Sequence, residues 1–179
     1  MFAALFTVIL LCGVTVAFLI KQTEKKVNEF SVATVTCEVH EKTDIMGDAT
    51  EGTQNANTKA SIKVKNTGNI EAYLRVRLIS YWVQEKDGEL QRVGKTSKMP
   101  AVSMAEDWVK GSDNTYYYIK PVQPGEFTSE LLKEGIVLAE EEGYQQVVEV
   151  FAQAIQANPT DAVTEAWGVN VDSSGNITS

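Results

Sequence analysis

Between residues 59 and 83 the chain alternates. Ile62 and Val64, then Ile70, Ala72, Leu74, Val76, Leu78 and Trp82, are apolar, and Lys63, Lys65, Glu71, Arg75 and Arg77 fall between them. A repeat of two sends the first set to one face of a pleated sheet and leaves the second in water. The pattern breaks at Asn66-Thr67-Gly68-Asn69, residue types that tolerate the left-handed backbone of a tight turn or bulge. The stretch therefore predicts two strands joined by a corner, with a half-buried face on which later strands pack.

The same reading extends along the chain. Val35, Cys37 and Val39 alternate with Thr34, Thr36, Glu38 and His40, which predicts a strand with Cys37 inward. Residues 43–57 are polar and contain glycine, so a loop is expected; Asp44, Asp48 and Glu51 lack the spacing of a calcium loop. Lys86-Asp87-Gly88 is hairpin chemistry, with residues 90–93 returning antiparallel. Residues 94–106 are irregular, and Pro100 excludes a central strand there. Trp108 opens a turn-bounded unit in which Tyr116 and Tyr118 share one face of an aromatic strand and Tyr117 takes the other. Further strands are predicted near residues 127–132 and 136–139. Residues 144–157 permit a helix, but their β-branched content favours a central strand covered on both sides. Pro159, Thr160 and Asp161 start a short helix over 161–166, Gly168 ends it, and residues 169–171 make a last strand before a polar tail.

Short strands separated by turn signals give an all-β fold, an antiparallel β-sandwich of jelly-roll type with one short helix near the C-terminus. An N-terminal hydrophobic helix precedes it. Residues 2–20 carry no charged side chain, at the border between a signal-peptide core and a membrane span of roughly 20 residues. Thr15 and Ala17 have the small-residue spacing of a signal peptidase site, which places cleavage between Ala17 and Phe18. No Lys or Arg precedes the run, whereas Lys21, Lys25 and Lys26 follow it; taken alone, that charge order would put the remainder in the cytoplasm. The expected organisation is residues 1–17 as signal peptide or membrane anchor, 18–30 as spacer or donor segment, and 31–179 as the β-sandwich domain.

The 179 residues suit one domain, and 44% hydrophobic content is that of a folded protein. A net charge of -8 disfavours nucleic acid and anionic membrane surfaces, so the membrane enters only through the N-terminal segment. Cys12 lies in the apolar run and Cys37 in the folded part, so removal of the run leaves one free thiol.

The order of several short motifs resembles a known family. An apolar run ending Val16-Ala17-Phe18, a polar spacer, and Val27-Asn28-Glu29-Phe30-Ser31-Val32 are similar to exported Firmicute proteins processed by a SipW-type signal peptidase, relatives of the biofilm-fibre protein TasA and of camelysin. The likeness continues in Lys65-Asn66-Thr67-Gly68-Asn69, in Trp108-Val109-Lys110-Gly111-Ser112-Asp113, in Pro124-Gly125 and in Glu165-Ala166-Trp167-Gly168. The resemblance implies a secreted or cell-surface protein whose N-terminal segment supplies a strand to a neighbouring subunit. Asn28, Phe30 and Val32 would be the assembly residues.

The inventory for catalysis is thin. His40 is the single histidine, and no nucleophile elbow, phosphate loop or dinucleotide fingerprint is present. Glu140-Glu141-Glu142 is a run of mutually repelling acids suited to an exposed turn rather than to an acid and base pair. No catalytic residue, metal ligand or cofactor site is assigned. Trp108, Tyr116 and Tyr118, with Trp82 and Trp167, would form a sugar-stacking platform if coplanar and exposed; filling the core is their other use. The sequence thus points to a non-enzymatic structural protein of the cell surface or extracellular matrix, a TasA-like fibre subunit partnered by its own copies or by other matrix proteins. The alternative is a monomeric surface module that binds carbohydrate or protein.

Overall fold

A computed structural model of the chain describes residues 32–44 and 58–178. The chain divides into Met1–Val32 and Ala33–Ser179, and the architecture below is that of the second unit. Its elements in order are β1 (Cys37–Asp44), β2 (Thr58–Asn66), β3 (Ala72–Lys86), β4 (Glu89–Arg92), β5 (Trp108–Lys110), β6 (Thr115–Tyr118), β7 (Ile136–Val137), β8 (Glu140–Glu141), β9 (Tyr144–Gln156), α1 (Asp161–Trp167), β10 (Asn170–Val171) and β11 (Ile177–Thr178). Strand pairing is antiparallel throughout, and the single described helix is α1. One sheet has the order β1-β2-β7; a larger one runs β5-β6-β3-β9-β8 with β4 beside the end of β3; β10 and β11 form a hairpin.

The period of two decides the main core. Ile62 and Val64 of β2 face Leu74, Val76 and Leu78 of β3, and Trp108, Tyr116, Leu131, Ile136 and Val148 complete the same buried cluster. Burying such side chains stabilises by about 1.5–3 kcal/mol each, which makes this alternation the main source of the fold's stability.

The corner at residues 66–69 does not fold one strand back onto the other, since β2 and β3 lie in different sheets. Asn66 is fully buried. Its Nδ2 donates to the carbonyls of Ile70 and Val122, both at 2.8 Å, and its Oδ1 accepts the Gly68 N–H at 2.9 Å. These bonds satisfy the backbone where the chain crosses between sheets. Gly68 permits the crossing to pack against the segment before β1, because a Cβ there would stand 2.3 Å from the Thr34 carbonyl oxygen.

Residues 126–131 run along β2 without forming the strand predicted near 127–132. Asn66 N–H donates to the Glu126 carbonyl, Thr128 N–H to that of Val64 and Leu131 N–H to that of Ile62, each at 2.9 Å. Between the last two bonds β2 advances two residues and its partner three, which is a bulge. Residues 43 and 44, expected in a loop, continue β1. The rest of that predicted loop, 45–57, lies outside the described residues.

The face of the larger sheet that alternation sends to water is covered at one end. Tyr73, Tyr117, Ala157, Val163 and Ile177 form a second buried cluster beneath α1 and the β10–β11 hairpin. Tyr73 Oη donates to the Gly175 carbonyl at 2.8 Å. The predicted polar tail therefore contains β11, whose Ile177 is buried. Asp172 shapes the connecting turn: its Oδ1 accepts the N–H groups of Asn176 and Ser174, and these bonds hold its carboxyl below the usual range. Gly168 caps α1 with φ 68°, as expected, but Thr160 sits in helical conformation and makes no side-chain cap.

The irregular residues 94–106 are tied down by Gln146. Its buried Nε2 lies 3.0 Å from the hydroxyls of Ser80 and Ser97 and 2.9 Å from the Lys98 carbonyl, and its Oε1 accepts the Ala139 N–H.

Candidate functional site

β9 differs most consequentially from expectation. It pairs with β3 in unbroken register from Ala72↔Gln156 to Val83↔Gln145, but β8 reaches only Tyr144 and Gln145 on its other side. Ala157 N–H donates toward β3, to the Glu71 carbonyl, whereas Gln146 N–H donates the other way, to Ala139. Backbone direction alternates in an antiparallel strand, and no bulge interrupts this one. Val148, Val150, Ala152 and Ala154 therefore aim both their N–H and C=O groups away from β3. Among the described residues no strand pairs with that edge. β9 is an edge strand over most of its length, not the covered central strand that its β-branched residues suggested; Glu149, Phe151 and Gln153 on its outer face are exposed as well.

β1 is open in the same sense. Thr67 N–H donates to Thr36, which fixes the even-numbered residues of β1 as those facing β2. Cys37 and Val39 then present their backbone groups to the free side. β1 runs close to β9 without pairing to it. Between them lies a groove of about 460 Å³ lined by Val35, Thr36 and Cys37 on one side and Ala152, Ala154 and Ile155 on the other. Cys37, Val150, Ala152 and Ala154 touch the main core but are only half-buried, so the core is thinly covered along this seam.

The predicted residues fall as follows. Ala17 and Phe18 of the cleavage site, and Asn28 and Phe30 of the assembly segment, lie outside the described residues. Val32 is described and is 80% exposed. Trp108, Tyr116 and Tyr118 do not make a surface platform. Trp108 is 2% and Tyr116 1% exposed. The cross-strand pairing of Trp108 with Tyr118 points both rings inward, where they meet at 5.2 Å and 59°. Trp108 Nε1 donates to the Glu130 carbonyl at 3.1 Å, so even its polar edge is used internally. Trp82 is buried too, its Nε1 bonded to Thr96. Trp167 reaches a surface groove on the opposite face from Trp108.

Titratable groups near the seam are modest in character. Burial pushes the Cys37 thiol up, away from the reactive thiolate. His40 Nε2 stands 3.5 Å from Glu38 on the exposed face of β1. Among the described residues no three His, Cys, Asp or Glu side chains gather as a metal site, and no helix is long and apolar enough to cross a membrane.

No family model, curated protein or solved structure matches the chain.

Proposed function

We propose that this chain is an exported, non-enzymatic structural protein of the cell surface or extracellular matrix, a jelly-roll-like β-sandwich that self-associates by strand addition. The observation that carries the reading is the open edge of β9, where the backbone of three alternate, half-buried residues, Val150, Ala152 and Ala154, offers one donor and one acceptor each beside a thinly covered core. An unprotected edge of this length is a pairing template, and proteins that remain monomeric blunt such edges. The apolar run at residues 2–20 supplies the means of export, and the motif order resembling the TasA and camelysin relatives supports the same assignment.

The incoming strand is the segment 18–32 of a neighbouring copy. Backbone bonds contribute about 0.5–1.5 kcal/mol each, and association costs about 4–15 kcal/mol. Backbone pairing alone is therefore insufficient, and side-chain anchors decide the outcome. Phe30 and Val32 are two residues apart, so an extended segment places both on one face. Seated over Ala152, Ala154 and Cys37, each anchor adds about 1.5–3 kcal/mol by burial.

Removing residues 18–32, with both anchors, is expected to abolish filament formation in electron micrographs while the domain stays folded by circular dichroism. Polymers of unchanged abundance after that deletion would exclude the N-terminal segment as the donor.

A further inference from the structure

The outer face of the larger sheet carries a second feature, on the side away from the main core. Register brings two rows from three strands together there: Tyr117, Arg75 and Gln153 lie side by side, then Thr115, Arg77 and Phe151. Trp167 at the end of α1 closes one end, and the groove holds about 500 Å³, within the roughly 300–1,000 Å³ of small-molecule sites.

Arg75 is held in a particular orientation. Its guanidinium lies 4.6 Å from the centre of the Trp167 ring and 5.9 Å from that of Tyr117. Its Nε donates to Gln153 Oε1 at 2.7 Å. The stacked face and the Nε are thereby used, and the two terminal nitrogens are left for a planar anion, the geometry that suits a bidentate carboxylate. Arg77, one pleat along the same face and about 6.5 Å away by strand rise, is exposed. Among the described residues neither arginine has a carboxylate partner. In a chain of net charge -8, two adjacent guanidiniums without acid partners stand out as a local positive site.

The rest of the lining selects among anions. Phe151 is 45% exposed and offers an apolar ring face. Ser112, Thr115 and Asp113 also line the groove and can bond hydroxyl groups. Hydroxyls, an apolar ring face and one carboxylate per ring are the attributes of an acidic sugar.

We propose that this groove binds a uronic-acid saccharide, with Arg75 and Arg77 on the carboxylate, Phe151 against the pyranose face and Asp113 on ring hydroxyls. The site adjoins the groove at the β9 edge and shares Arg75, Gln153 and Trp167 with it, but it uses side chains of the outer face rather than the backbone groups of the edge.

Calorimetric titration of the purified protein with tetragalacturonate tests it, with the fully methyl-esterified tetramer and a tetraglutamate peptide as comparisons. Saturable binding of the acidic sugar is expected, weakened at least tenfold by esterification. Arg77→Gln, an exposed change that leaves the melting temperature unaltered, should weaken binding about tenfold, as expected for one charge-assisted hydrogen bond. Arg75→Gln should weaken it further, with partial recovery in Arg75→Lys. Absence of saturation with the wild type, equal affinity for the ester, undiminished binding by Arg77→Gln, or equally tight binding of tetraglutamate would each overturn the proposal.

Discussion

Asn66→Ala is expected to lower the unfolding free energy by about 3 kcal/mol: it strands the Ile70 carbonyl and the Gly68 N–H, each costing about 1–3 kcal/mol when buried without a partner, and takes from the Val122 carbonyl one of its two donors, leaving the Ala72 N–H. The lower end applies because the Ile70 and Gly68 bonds lie at a part-buried corner that water can reach after truncation. Against a typical total of about 5–15 kcal/mol, such a loss is severe, and the midpoint of urea unfolding would report it. Asn66→Asp separates lost bonding from lost volume. The new carboxylate would face the Ile70 and Val122 carbonyls in a site with no exposure, so burial would raise its pKa in the folded state. Its stability should then fall as pH rises through the usual carboxylate range, because only the unfolded chain readily gives up the proton. A Asn66→Ala variant within 1 kcal/mol of wild type would show that the crossing between sheets does not rest on this side chain.

Ala152→Pro is expected to stop assembly while sparing the fold. Proline removes one backbone donor, and at 152 that donor points to the open edge, so the ladder to β3 is kept. An edge position of this kind is where strands accommodate proline. Glu149→Pro is the matched control: its N–H faces Ile79 of β3, and its exposed side chain makes no bond in the structure. The second variant should lose several degrees more in melting temperature than the first. The first should show no filaments by electron microscopy. Filaments of normal length from folded Ala152→Pro protein would mean that the edge of β9 is not the acceptor.

Much of the fold was legible because period two is a strong signal over long strands. Ile62, Val64, Leu74, Val76 and Leu78 are buried as their alternation requires, and the hairpin at Asp87-Gly88 has φ 57° and 81°, the turn its residues favour. Alternation reports faces, however, and says nothing of edges. Val147, Val148 and Val150 read as a covered strand, yet what matters about β9 is the missing neighbour, set by how far β8 extends. The assignment of β2 and β3 to different sheets was likewise hidden, because it depends on Asn66 reaching Val122, 56 positions away.

The aromatic residues show the same limit. Tyr116 and Tyr118 were correctly placed on one face, but the strand pattern could not say that this face was inward. Tyr117, set aside by the same pattern, is packed beside Arg75 and Trp167. The arginine groove joins β3, β6, β9 and α1, and no local spacing connects them. The one available signal was Arg75 and Arg77 sharing a strand face in an acidic chain.

Residue-resolved amide hydrogen exchange, compared between monomer and assembled material, tests strand addition most directly. Val150, Ala152 and Ala154 should exchange quickly in the monomer, while Glu149, Phe151 and Gln153, bonded to β3, exchange slowly. On assembly the first set should become protected. Slow exchange of all six in the monomer, or continued rapid exchange of the first three in filaments, would contradict the account.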